Sequence, residues 1–203
     1  MLSGCMSADG RIKTHTQNIN SYSDFGICSG YGCKNYHPTG LTDEEWDNVE
    51  RLFQPQAKNA IEERKIIAKA IALMEQYIGP KTGTENDKAR AVVINFSTDG
   101  QMDCVDEAIN STTYIYLMRK YGLIKFHSLG APARRNLNDL SYPHSSATIF
   151  EIDKEKIEEG EGHFVVDSWF HKNGALAEII PTRTWKGRWY PEEKLDFYNF
   201  SAS

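Results

Sequence analysis

The chain has 203 residues, 40% of them hydrophobic and 25% charged, the proportions of one soluble globular domain with or without an appendage. A formal net charge of −5 argues against a nucleic-acid footprint, which needs clustered Lys and Arg. No apolar run of about eighteen residues is present to cross a membrane as a helix, and no fixed-period repeat or low-complexity tract appears.

The chain opens Met1-Leu2-Ser3-Gly4-Cys5, and the stretch from Leu2 to Cys5 resembles the lipobox of bacterial lipoproteins, in which cleavage before the cysteine precedes its lipidation. That resemblance implies an apolar signal segment upstream of Met1, a lipid anchor on Cys5 and a periplasm-facing place in the bacterial cell envelope. An ordinary disordered terminus is the plainer alternative. Residues 6 to 40 carry many turn formers and no sustained period, so residues 1–40 read as an extended arm in front of a domain spanning 41–203. Within the arm, FGICSGYGCKNYHP lets Cys28 and Cys33 meet across a tight loop, which in an oxidising compartment favours a disulfide. The rival is a metal site that adds His37, but the local sequence supplies no fourth ligand. No metal or other cofactor is expected. Of the four cysteines, Cys104 then remains free.

Thr42 followed by Glu45 is a capping box, and the helix after it places Trp46, Val49, Leu52 and Phe53 on one face. A second helix over about 57 to 78 carries a stripe of Ala60, Ile61, Ile67, Ala68, Ile71 and Ala72, with Gly79-Pro80 as its stop. KTGTENDK is a loop, and AVVINF (91 to 96) is a short buried strand or extended segment. GQMDCVDEAINSTTYIYLMRKYG is a third helix, capped by Asp103 with Asp106 and ended by Gly122. Its apolar arc runs through Val105, Ala108, Ile109, Thr112, Ile115, Tyr116 and Met118, and Cys104 lies at the edge of that arc. LIKFHSL (123 to 129) is strand-like, GAPARRNLNDLSYP is a loop, and HSSATIFEI (144 to 152) and HFVVDSWF (163 to 170) flank an acidic turn as antiparallel neighbours. Helices followed by strands define an α+β domain.

A thiol at a helix N-terminus sits among unpaired backbone N–H groups and the positive end of the macrodipole, where a thiolate nucleophile is favoured. Free cysteine is also among the most buried residue types, so simple packing is the competing account. A nucleophilic thiol needs a base in reach and a third group that orients it. Of the six histidines, His15 and His37 lie in the arm and His171 in a solvated turn. His127 competes with His144, which opens a strand after Pro143. Asp167 lies on a strand otherwise built from apolar residues, where an unpaired carboxylate is expensive.

Cysteine at a helix start, histidine at a strand start and aspartate within the next strand, in that order, resemble the transglutaminase-like branch of the papain-like cysteine enzymes. The match runs over about residues 90 to 175, with Cys104 in DCVDEA, His144 in YPHSSATIF and Asp167 in FVVDSWF. The resemblance implies a Cys-bearing helix packed on an antiparallel sheet. Cys104 takes the role of nucleophile, His144 of base and Asp167 of orienting acid. Ser145-Ser146-Ala147 stands where the family commonly has an aromatic, and Ser168 where it has proline, which bears on the substrate pocket. The expected activity is amide hydrolysis or acyl transfer through a thioester on a peptide or protein substrate. The Cys104 N–H is the natural oxyanion donor, and the Gln101 side chain a possible second. Two alternatives stand beside it. One is a cell-wall peptidase of the NlpC type, against which Asp167 argues; the other is a non-catalytic envelope binding module, gripping a partner through the basic and aromatic TRTWKGRWYPEEKLDFYNF.

Overall fold

A computed structural model describes residues 19–92, 99–135, 143–154, 157, 159–187 and 189–191. The Leu2–Cys5 stretch and most of AVVINF lie outside the described residues. The first element is an antiparallel hairpin of β1 (Phe25–Ser29) and β2 (Asn35–Thr39). Every residue of β1 is buried, and Ile19, Phe25, Ile27 and Leu41 belong to the main core. This part of the expected arm is therefore folded into the domain. Strand β1 shows no polar–apolar alternation because it is covered on both faces. Cys28 and Cys33 are joined in a disulfide across the turn of the hairpin.

Helix α1 (Asp43–Leu52) starts with the capping box read from the sequence: the Glu45 N–H donates to Thr42 Oγ1 at 3.2 Å and the Thr42 N–H to Glu45 Oε2 at 2.8 Å. Its Trp46 and Val49 enter the core. Helix α2 (Ala60–Thr82) continues through the expected stop at Gly79-Pro80, because Pro80 forfeits one helical hydrogen bond only a turn from the end. The helix ends instead at Gly83, in the left-handed conformation, whose N–H returns to the Gly79 carbonyl. Helix α3 (Cys104–Lys120) has Asp103 as N-cap with a reciprocal Asp106 bond, and beyond it Gly122 takes a φ of 73° as the chain turns out.

The sheet order is β3 (His127–Leu129), β5 (His144–Glu151), β6 (His163–Asp167), β7 (Glu178–Pro181), with β4 (Ala133–Arg135) on the start of β5; every pair is antiparallel. The expected pairing of the two long strands is observed, with Ala147 opposite Val166. Strand β3 is shorter than LIKFHSL, and β4 arises within a stretch read as loop. Ala147, Ile149 and Val166 pack with Ile67, Ile71 and Met74 of α2 and Ile115 and Met118 of α3. Val165, alternate to Val166, packs instead with Ala133 and with Trp185 of the short helix α4 (Thr182–Lys186). The protein is thus a mixed α+β domain with antiparallel sheets.

Thr42→Ala removes one half of the α1 capping box and is expected to cost about 1 kcal/mol. Urea unfolding should show a lower midpoint with an unchanged slope.

Candidate functional site

Antiparallel pairing sets the first residue of β5 beside the end of β6, and α3 begins against the same end of the sheet. This geometry pairs His144 with Asp167, and the Cys104 thiol meets the N–H of Ser145, the residue after His144. His144 Nε2 lies 2.7 Å from Asp167 Oδ2, and both side chains are buried. The same oxygen accepts the Trp185 indole N–H at 2.7 Å. Indole can only donate, so Oδ2 is an acceptor, and the ring proton of neutral His144 belongs on Nε2. Nδ1 is then the bare nitrogen; it is buried and without a hydrogen-bond partner. Trp169, Phe170 and Trp185 surround the ring, with centroids 4.5, 5.3 and 5.3 Å away.

Cys104 is the one free cysteine among the described residues and is half-buried. The Ser145 backbone N–H, next in the chain to His144, lies against the thiol and favours its ionisation. Burial acts the other way, helped by Asp103, Asp167 and Asp106, and the thiol is pushed up to about 12. The helix start therefore does not deliver a standing thiolate.

The disulfide hairpin grips the first turns of α3. The Tyr31 and Cys33 N–H groups donate to the two oxygens of Asp106, the Gly30 N–H donates to the Gln101 carbonyl, and Asn110 bonds both the N–H and the C=O of Cys28. Two non-glycine residues of this turn, Tyr31 and Cys33, hold φ values of 70° and 59°, so that their N–H groups converge on one carboxylate. Cys28, Cys33 and Asp106 place their ligand atoms within 4.8 Å of one another, but the sulfurs are bonded to each other. His37, the third residue of the metal alternative, is hydrogen-bonded to Ser29 Oγ at 2.8 Å.

The other sequence candidates have structural duties. Gln101 donates to the Asn86 carbonyl and accepts from the Lys88 N–H, so its amide braces the 86–88 loop. His127 is buried with Nδ1 on Glu63 at 2.8 Å and Nε2 beside Arg64 at 3.1 Å, which leaves no ring nitrogen for a thiol. His171 is not simply solvated; it pairs with Glu178 at 2.8 Å. Cys5 and His15 lie outside the described residues. Sequence reasoning missed that Trp185 donates to Asp167 and that Arg135 is buried against the Trp185 ring, 4.4 Å from its centroid. Trp185 stood in the quoted aromatic segment, whereas Arg135, in GAPARRN, carried no signal.

A groove of about 590 Å³ lies elsewhere, between Ile61, Lys65 and Lys69 of α2 and Leu176 before β7, and includes none of the three site residues. No protein-family model matches this chain, and neither a curated protein nor a solved structure does.

Four carboxylates are buried within reach of one another: Asp106 and Glu107 in the first turn of α3, Asp87 on the Met102 N–H and Glu75 in α2. Desolvation pushes Asp106 and Asp87 up to about 8 and Glu107 to about 7, and holds Glu75 well above its ordinary range, in each case reinforced by a neighbouring acid. The unfolded chain releases these protons near pH 4. Between about pH 4 and 8 the folded state therefore binds more protons, and these groups make stability fall as pH rises. Denaturant titrations at pH 5 and pH 8 should show this slope, and Asp87→Asn or Glu107→Gln should flatten it.

Proposed function

We propose that this protein is a thiol enzyme of the transglutaminase-like, papain-like kind, acting as an amide hydrolase or acyl transferase through a thioester on Cys104. One observation supports this above all. His144 is buried with Nε2 fixed on Asp167 at 2.7 Å and Nδ1 bare, beside a strand residue whose N–H meets the only free thiol described. Leaving a buried imidazole nitrogen unpaired costs stability and is what a base awaiting a proton requires. The antiparallel sheet with a Cys-bearing helix against it is compatible with a papain-like core.

The elevated thiol determines how the reaction starts. Cys104 does not wait as a thiolate; Sγ attacks the substrate carbonyl as its proton passes to His144 Nδ1. The S–C bond forms, the carbonyl electrons move onto oxygen, and the Cys104 N–H, unused by the helix at its first position, faces the charge. Collapse breaks the C–N bond, and His144 returns the proton to the departing amine. Water, or an amine acceptor, then gives a proton to Nδ1 and displaces the thiol, and that proton restores Sγ–H. Asp167 holds the ring and stabilises the transient imidazolium. The resemblance of Leu2–Cys5 to a lipobox supports a bacterial envelope setting for this chemistry, with a peptide or protein amide as substrate.

The second reading is a non-catalytic module on the same fold, and the observation that favours it is the thiol pushed up to about 12.

Activated acyl esters decide between the two. Intact mass should show one acyl group on the chain, lost in Cys104→Ala and slowed by orders of magnitude in His144→Ala, with both variants folded. Asp167→Asn should lower turnover by roughly two to four orders of magnitude, less than either of those changes. Equal acylation of wild type and Cys104→Ala removes the enzyme reading.

A further inference from the structure

Arg135 presents a physical anomaly. Its side chain is 1% exposed, and among the described residues no carboxylate pairs with it. A guanidinium is expensive to bury without an acid, so its contacts must offset that cost. Its hydrogen bonds among the described residues go to one segment: one terminal nitrogen donates to the Trp185 carbonyl at 3.2 Å and to the Trp189 carbonyl at 2.9 Å, while the Phe170 ring lies 5.9 Å away. The plane lies 4.4 Å from the Trp185 ring and 5.2 Å from the Tyr190 ring.

That segment needs an external hold. Helix α4 has five residues and no side-chain bond at its N-cap, too little to persist alone. A cation at its end satisfies open carbonyls and suits the dipole. What the segment carries is Trp185, whose indole N–H fixes Asp167 Oδ2 and whose ring lies 5.3 Å from His144. The β4–β5 pairing sets Arg135 opposite His144, so the same hairpin carries both the base and this latch.

We infer that Arg135 is a positioning residue for the proposed triad: by binding the Trp185 and Trp189 carbonyls it holds the C-terminal segment over His144 and so sets the Trp185–Asp167–His144 chain. This inference rests on the thiol-enzyme reading for its catalytic consequence and on the contacts alone for its structural one. Lysine does not replace it, because an ammonium lacks the planar face that stacks on indole while bonding two carbonyls.

The test compares wild type, Arg135→Ala and Arg135→Lys in the full chain, with circular dichroism as the folding control. Two readouts are used. The first is carbethoxylation of His144 by diethylpyrocarbonate, mapped by peptide mass. His144 is 2% exposed, so wild type should be protected and both variants at least about tenfold faster, the effect of losing a charge-assisted bond. The second is turnover of an activated acyl ester. Both variants should lose about tenfold or more in kcat with KM little changed, and free guanidinium at non-denaturing concentration should restore part of the loss in Arg135→Ala but not in Arg135→Lys. Folded variants with wild-type protection of His144 overturn the inference, as does loss of turnover that guanidinium leaves untouched. If Arg135→Ala does not fold, Arg135→Lys carries both readouts. If wild type itself shows no acylation of Cys104, the enzyme reading fails, and the protection of His144 alone decides the latch.

Discussion

One carboxylate oxygen organises this protein's candidate site. Asp167 Oδ2 receives the His144 ring and the Trp185 indole, each at 2.7 Å, from two segments that lie more than forty residues apart in the chain. An acid at that depth is tolerable only with donors of this strength. Remove it and the imidazole is free to turn or to change tautomer, the indole N–H is orphaned, and α4 keeps only its apolar packing on Val165 of β6. The strands bring the residues near, and this shared acceptor determines which nitrogen of His144 remains available.

The same region is unusually rich in negative charge for a thiol chemistry. Asp103, Asp106 and Glu107 begin α3 with Cys104, while Asp87 is buried on the Met102 N–H and Glu75 is buried in α2. Asp103 caps the helix and Asp106 anchors the disulfide turn, and both add to the burial that raises the thiol. The outcome is a thiol that is protonated at rest; under the proposed function it would act more like a serine than like the thiolate of an ion pair, dependent on a base at the moment of attack. A neutral resting thiol suits an oxidising compartment, because oxidation follows thiolate character.

Much of this was legible in the sequence. Thr42 and Glu45, Asp103 and Asp106, and the β5–β6 pair carry local signals that tertiary packing did not override. Cys104, His144 and Asp167 were visible because each breaks a local expectation: a thiol at a cap, a histidine at a strand start, an acid among apolar neighbours. What was illegible depends on distant partners. β1 looks like arm because it is buried on both faces and lacks a period. Pro80 looks like a stop because its position near the helix end is not known beforehand. Gln101 and His127 have suitable chemistry, but contacts with Asn86, Lys88, Glu63 and Arg64 commit them elsewhere. Arg135 gains its meaning only from carbonyls fifty residues and more along the chain.

The central claim is that the neutral His144 ring carries its proton on Nε2, toward Asp167, and leaves Nδ1 bare. Nitrogen-15 correlation spectra of the histidine rings measure this directly at neutral pH. The account predicts, for His144, a protonated-type Nε2 and an unprotonated-type Nδ1, with the Nε2 signature altered in Asp167→Asn. A proton resident on Nδ1 of the neutral ring, or a His144 spectrum unchanged by Asp167→Asn, would contradict it.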